Sequence, residues 1–506
     1  MNNAMDWTTK HLQPPTVSFD GGDLDCGSGL LLLIRKHIDP LEPGQLLEIK
    51  STDSTVEEDL PAWCRLTRNE LISRIRTGSV RSYLVSKGPL GATLPRVGLP
   101  IRVESATSTI PRVSQNLPPF AVMGIGSWPR PGWLLRSLHD HLSGRLGEEE
   151  FQQYADDAVR LAVAAQERAG VDVVTDGEQR RDSYASFVGG RLDNCQLIPV
   201  TDLLAYVDDP DKFAEELRAL DVPADQVRHP AVFGRIGRSR PLAAHELARI
   251  RGMTSKPVKV ALPGPYLLTR TMWLECVSDK AYPNRDALAE DLVRVLREEA
   301  QALLDGGAQI VQFDEPVLTE VVFSRPSATG GRSFMCGALG AKLAPEEELE
   351  FAGRLINAVV AGLPRDRIAL HVCRGNWSRD EAVALTGPYT PLVPLFRTLP
   401  VGTFFLEMAT PRAGELSALR ELPPDSRLGL GVVNQKLDRV ESVEQIVAQA
   451  EAAVAIFGPE RVFLNPDCGF ATFADNPLAS AEVAEAKLTA IVQASRILRE
   501  KHSVKR

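Results

Sequence analysis

Beyond about residue 119 the chain repeats one pattern, and that repetition limits the folds open to it. An amphipathic helix runs to a Gly or Pro, a short run of Val, Ile, Leu or Phe follows, and the sequence then turns abruptly polar. Helix 149–168 leads to a strand at 171–175 and then DGEQRR. Helix 286–304, with Leu288, Leu292, Val295, Leu296 and Leu303 at helical spacing, leads to QIVQF and then Asp314, Glu315 and Pro316. Helix 346–361 leads to RIAL and then His371 and Cys373; the strands TFFL, LGLGVV and VFL end near Glu407, Asn434 to Lys436, and Cys468. Apolar runs without alternation are buried on both faces, which is how parallel strands covered by crossover helices read. At least six such units in about 380 residues predict a (βα)8 TIM barrel, whose strand C-termini carry the reactive side chains. An open doubly wound sheet would put them at the same ends.

A second unit precedes the barrel. Prolines at 89, 95, 100, 111, 118 and 119 without a helical period predict a linker over 89–118, dividing a small unit at 1–88 from the barrel at 119–506. The small unit reads as strand 16–22, helix 30–37, strand 45–51, a helix over most of 56–72 and further strand in SYLVSKG, a two-layer α/β sandwich.

Charge and cysteine usage exclude several classes of function. A net charge of −9, from 57 basic and 66 acidic residues, argues against general binding to nucleic acid or to an anionic membrane. No apolar run approaches the ~20 residues that span a bilayer, and the first residues lack a secretory pattern, so a cytoplasmic location is expected. Seven cysteines thinly spread are no disulfide framework, and each is a buried hydrophobe, a metal ligand or a reactive thiol. His371 and Cys373 lie two apart at a strand end and point to one side of the pleat. With Cys468 and Glu407, also at strand ends, they would make a four-ligand zinc set, in which the thiolates favour zinc and the carboxylate is the ligand most easily displaced by a substrate thiol. Packing is the competing reading of such a pair.

The motifs IGSWP (125–129), DGEQRRD (176–182), LPGPY (262–266), FDEPVL (313–318), HVC (371–373), LE (406–407), GVVNQK (431–436) and NPDCG (465–469) occur in this order. Together they resemble the catalytic domain of cobalamin-independent methionine synthases. The resemblance implies a zinc-activated homocysteine thiolate that attacks the methyl group of methyltetrahydrofolate. It makes His371, Cys373, Glu407 and Cys468 the zinc ligands, and gives Ser127, Glu178 and Asp314 the backbone groups of the amino acid substrate. Folate-using members carry Asp-x-His where this chain has Asn434 and Lys436; Lys436, with Asp314, is the catalytic candidate, since a lysine can supply the proton that the leaving nitrogen needs. Shorter relatives such as epoxyalkane:coenzyme M transferases keep the zinc–thiol chemistry with other electrophiles, so alkyl transfer to a small-molecule thiol is the broader expectation. Uroporphyrinogen decarboxylases resemble the barrel too, without needing zinc thiolates.

Over 16–88 the chain resembles TusA-type sulfur carriers, through Cys26 entering a helix that ends Ile34, Arg35, Lys36, then PGQLLEI and DLPAWC. That implies a persulfide on Cys26, its pKa lowered by the helix N-terminus, a sulfur-donor protein as partner, and a sulfur-relay fusion as the alternative function. Here Cys26-Gly-Ser-Gly stands where the carriers have Cys-Pro-x-Pro; the competing reading is a packing domain with Cys26 in a turn and Cys64 structural. Elsewhere Asp314 and Glu315 could simply end a strand and cap a turn. Arg180 and Arg181 could be surface charges or meet a carboxylate-rich substrate. Trp128 and Trp273 read as core before a stacking platform, and Cys195, Cys276 and Cys336 as buried or incidental.

Overall fold

The computed structural model describes residues 7–90, 117–199, 202, 228–273, 281–323, 343–376 and 378–502. Residues 91–116 of the linker expected over 89–118, together with Cys276 and Cys336, lie outside the described residues.

In the small unit, strands β1 (Trp7–Thr8), β2 (Val17–Asp20), β3 (Leu46–Ser51), β4 (Glu70–Thr77) and β5 (Val80–Ser86) form one sheet in the order β1-β4-β5-β3-β2. Helices α1 (Leu31–Ile38) and α2 (Val56–Thr67) cover it. Ile34 and Ile38 of α1 and Leu60 and Trp63 of α2 share an apolar cluster with Leu47, Ile49 and Val85 of the sheet. Truncating one such buried aliphatic side chain to Ala costs about 2–5 kcal/mol. The helix expected over most of 56–72 is there: it runs from Val56 to Thr67 and stops at Arg68, which takes a left-handed conformation (φ 59°), and Glu70 already belongs to β4.

The barrel is closed. Strands β8 (Lys259–Pro263), β9 (Ile310–Asp314), β10 (Ile368–Val372), β11 (Thr403–Leu406), β12 (Arg427–Val433) and β13 (Val462–Pro466) pair in parallel and in sequence order. Bridges from Val122 to Leu464, Met123 to Val173 and Val174 to Val258 add the segments around 122 and 173 as first and second strands and join the first to the last. Eight parallel strands result, as the repeat predicts. Before β8, an antiparallel hairpin of β6 (Asp193–Pro199) and β7 (Arg228–Gly237) extends from the barrel, which the sequence pattern did not reveal.

Local chemistry sets the helix ends. The helix Glu148–Ala169 buries Phe151, Ala155, Val159 and Ala162 along one face and stops at Gly170, whose φ of 89° no branched residue would adopt cheaply. Asn284 caps the helix Arg285–Asp305 by accepting from the Ala287 N–H, and Ser442 with Gln445 makes a capping box before the helix Val443–Phe457. Gly170 thus stops its helix before the next strand, whereas Asn284 and Ser442 fix where theirs begin.

The two units touch through α1. Leu32 joins the barrel's apolar cluster, Arg35 Nε donates to Asp202 Oδ2 at 2.9 Å, and Gln196 of β6 donates to the Lys36 carbonyl at 3.1 Å. No described helix is long and apolar enough to cross a membrane.

Candidate functional site

The C-terminal ends of the strands surround a cavity of about 380 Å³, with Ser127, Glu178, Asp314, His371, Cys373 and Cys468 in its wall. Strand ends deliver these side chains because the last inward residue of each strand has no neighbour above it. His371 is the penultimate residue of β10, with Cys373 just past the strand's end, and Cys468 follows the end of β13. One ligand atom each of His371, Cys373 and Cys468 lies within 4.8 Å of the others, and all three residues are buried.

The electrostatics of this trio favour a cation. A hydrogen bond from Cys468 holds Cys373 down at about 6 against the cost of burial, with His371 helping, whereas Cys468 itself is pushed well up. One sulfur is therefore a thiolate at neutral pH and the other keeps the shared proton, which a metal would displace. Burial alone would lower the His371 pKa, but its bond to Asp314 and the Cys373 charge outweigh that and raise it. The His371 Nδ1 to Asp314 Oδ1 distance is 2.9 Å, the carboxylate–histidine arrangement that orients metal-bound imidazoles. Two sulfurs and an imidazole at this spacing fit zinc, which takes N and S donors tetrahedrally.

Glu407 is fully buried just past β11. Its Oε2 accepts from Asn376 Nδ2 (2.7 Å) and the Arg374 N–H (3.1 Å), and its Oε1 from Arg412 Nε (2.8 Å). Burial, Asp467 and the Cys373 charge push its pKa up to about 8. It thus stands beside the trio with its oxygens engaged by other groups. Lys436 is also buried but outside the cavity wall, and donates to the Asp380 carbonyl at 3.2 Å. Burial and then Arg412 lower its pKa to about 8.

Glu178, which also lines the cavity, adopts a left-handed backbone (φ 54°), a conformation that costs a non-glycine residue energy and that clusters at functional sites. Its carboxyl is pushed up to about 7 by burial, with Arg181 opposing and Asp314 adding to the shift. Gly126 makes room for that carboxylate, since a Cβ there would collide with Oε1. Ser127 Oγ accepts from the Ala471 N–H at 3.3 Å, tying the first strand's end to the loop after Cys468.

Other expectations need correction. Arg180 and Arg181 are buried, so they are not surface charges. Arg181 is bound to Glu246 Oε2 at 2.6 Å and the Ala261 carbonyl at 2.9 Å, and Arg180 bonds Gln152 and pairs with Asp156. Asp314 and Glu315 divide the two readings offered for them. Asp314 faces the cavity, whereas Glu315 caps the helix Pro265–Met272 by accepting from the N–H groups of Tyr266 and Leu267, both at 2.8 Å. Trp128 packs in the core edge-on to Phe470, and Trp273 packs half-buried against the core. Cys195 is buried.

Cys26 lies in a widened turn, Cys26–Leu30, ahead of α1 and is 7% exposed. Burial, followed by the charges of Asp59, Asp25 and Asp53, pushes its thiol up to about 12. That is the opposite of the activation expected from a helix N-terminus, because the carboxylates gather at the same end. Cys64 is buried nearby and also pushed up to about 12, chiefly by burial.

Sequence reasoning missed Asp467, Arg412 and Asn376. Asp467 Oδ1 accepts from the N–H groups of Met408 (2.8 Å) and Ala409 (2.9 Å), bracing the loop after Glu407 against the one that carries Cys468. Its place beside Cys468 in NPDCG was the available signal; Arg412 and Asn376 had none.

Comparison with known proteins matches this architecture. Residues 120–496 match the model of the cobalamin-independent synthase catalytic domain. The methionine synthase of Saccharolobus solfataricus is 26% identical over 386 residues, covering 76% of this chain and 96% of its own. That of Sulfolobus acidocaldarius is 27% identical over 378 residues, covering 74% and 91%. Among solved structures, the B12-independent methionine synthase of Shewanella sp. W3-18-1 in complex with selenomethionine superposes with a TM-score of 0.57 at 20% identity, over 76% of this chain and 98% of that one. The putative enzyme of Listeria monocytogenes gives 0.53 at 20%, over 76% and 99%. Residues 120–496, with their closed barrel and rim of strand-end side chains, make this chain a member of the cobalamin-independent synthase catalytic-domain family.

Proposed function

We propose that this protein is a zinc-dependent transferase that moves a methyl or related alkyl group to the sulfur of a small-molecule thiol, with homocysteine as acceptor and a methyltetrahydrofolate as donor. The supporting observation is the convergence of His371, Cys373 and Cys468 on a cavity that Ser127, Glu178 and Asp314 also line. His371, Cys373 and Cys468 would hold the zinc, with Glu407 as the fourth, exchangeable ligand. When bound, the metal would supply the Lewis acidity that makes an arriving thiol a thiolate at neutral pH.

The chain's own residues would supply the rest. Ser127, Glu178 and Asp314 would bind the amino and carboxylate groups of the acceptor and so fix its sulfur in line with the donor methyl. The sulfur forms a bond to the methyl carbon as the carbon–nitrogen bond breaks, and the nitrogen keeps the electron pair and needs a proton. Lys436, with its pKa lowered to about 8, would be the acid that supplies it. Arg412 and Asn376 would keep Glu407 in place once a thiol has displaced it.

The test is zinc stoichiometry on purified protein and on Cys468→Ala, with X-ray absorption as candidate thiols are added. About one zinc in the parent, little in the variant and a new sulfur ligand with one thiol would support the reading. A parent that binds no zinc, even when it is added, overturns it.

The contact of α1 with β6 favours an assembly role for the small unit over sulfur delivery from Cys26. A persulfide on Cys26, detected by intact mass after incubation with a sulfur donor, would reverse that preference.

A further inference from the structure

Beneath the cavity the barrel is plugged by an apolar layer that includes Met123, Val173, Ile310, Ala369, Phe405 and Phe463. Lys259, the first residue of β8, stands in this layer. It is 1% exposed, and its ammonium lies 4.2 Å from the centre of the Phe405 ring. A lysine is costly to bury unless something uses its charge or its donors. Lys259 Nζ donates to Gln312 Oε1 at 2.6 Å, Gln312 Nε2 donates to Asp314 Oδ1 at 2.7 Å, and Asp314 Oδ1 lies 2.9 Å from His371 Nδ1. The four residues stand on three adjacent strands, with Ala261 beside Gln312 and Asp314 beside His371 in the ladder. The line runs from the barrel floor to the imidazole.

Its direction follows from chemistry. Lys259 Nζ keeps N–H donors as an ammonium or as a neutral amine, and in the observed contact it donates, so Gln312 meets it with its carbonyl oxygen. The NH2 of Gln312 is then turned toward Asp314. An ionised carboxylate only accepts, so Asp314 takes hydrogens from Gln312 and from His371 Nδ1. His371 is left with its proton on Nδ1 and with Nε2 as the nitrogen that can bind a metal. Without Lys259 the Gln312 amide could rotate and set an oxygen against Asp314, and the carboxylate would lose its hold on the imidazole. Burial lowers the Lys259 pKa to about 7 while Asp314 and Glu178 raise it, so the lysine is also electrostatically tied to the carboxylates above it.

We infer that Lys259 is a positioning residue for the metal site: acting through Gln312 and Asp314, it fixes the hydrogen-bond direction that presents His371 Nε2 to the metal. This rests on the zinc reading above, but half of its test needs no zinc. Two variants are compared with the parent. Lys259→Met removes the donor, and Gln312→Glu keeps the shape while replacing the donor to Asp314 with an acceptor. Histidine 15N NMR on the metal-free proteins, at a pH where His371 is neutral, reads which ring nitrogen carries the proton. Chelator competition reads zinc affinity.

In the parent, His371 is protonated on Nδ1. In both variants the signal becomes a mixture of the two tautomers, and zinc affinity falls about 10- to 100-fold, the usual effect of losing an outer-shell partner of a metal-bound histidine. An unchanged tautomer with zinc affinity within about twofold of the parent overturns the inference. Should Lys259→Met fail to fold, the nearly isosteric Gln312→Glu decides by the same two readings. Should the parent bind no zinc, the zinc reading fails on its own, and the tautomer alone decides whether Lys259 orients His371.

Discussion

The molecule holds two pairs of buried cysteines; in one both thiols are pushed up, and in the other Cys468 is pushed up while Cys373 is held down. Cys26 and Cys64, in the core of the small unit, are both pushed up to about 12. Cys373 and Cys468, at the barrel rim, are as well buried, yet Cys373 is held at about 6. Desolvation acts on all four and raises the pKa of each. The difference lies in the neighbours. Asp25, Asp53 and Asp59 face Cys26 with negative charge, whereas Cys373 has a thiol donor and an imidazole. A buried cysteine pair thus shares out or keeps its protons according to what its neighbours can donate to it.

The strongest way to break this comparison is to delete one sulfur from each pair. Cys468→Ala should lower zinc affinity by roughly 100-fold or more, because one of few strong ligands is lost. Cys64→Ala should leave zinc unchanged and cost about 1 kcal/mol in unfolding free energy, as for other buried small side chains. Equal zinc loss in both would erase the distinction. Labelling sharpens it. At pH 8, metal-free protein should alkylate at Cys373, while Cys26 reacts roughly 1,000-fold more slowly than after denaturation, since the thiolate is the reacting form. Peptide mass mapping reads both rates.

A pH series gives a smaller effect. Above about pH 6 Cys373 is already ionised, so zinc uptake releases the proton that Cys468 holds and, until the pH passes the raised pKa of His371, the imidazolium proton too; below pH 6 the Cys373 proton must also leave. Zinc affinity should rise with pH throughout, and more steeply below pH 6 than above, as measured by calorimetry in buffers of different ionisation heat. Smallest for zinc is Arg35→Ala, which removes the largely buried ion pair with Asp202 between the units; it should cost about 3 kcal/mol in stability, because Asp202 is left unpaired. Hydrogen exchange in α1 should quicken with zinc binding unaltered.

Much of the barrel was legible because strands buried on both faces leave uninterrupted apolar runs, and β9, β10, β11, β12 and β13 each end where the polar residues begin. The gathering of His371, Cys373 and Cys468 follows directly from those ends. What escaped depends on partners distant in sequence. Arg181 looks like a surface charge until Glu246, 65 residues on, closes over it. Cys26 looks like an activated thiol until Asp53 and Asp59 from other elements come beside it. Lys259 and Gln312 did leave a trace, as polar residues inside the otherwise apolar strands KVALP and IVQFD, but such a trace names no partner.

The seam between Val122 and Leu464 also orders events in time. Ser127 follows one strand of that seam and Cys468 the other, so the rim is incomplete until nearly the whole chain has been made. During synthesis Cys373 emerges 95 residues ahead of Cys468, an interval of about 5–20 s at ordinary elongation rates. In that interval a nascent chain offers a metal His371 and Cys373 without the closing sulfur, on a barrel still open at its seam. If the trio holds zinc as proposed, tight capture would belong to the finished protein, because the closing sulfur is made last.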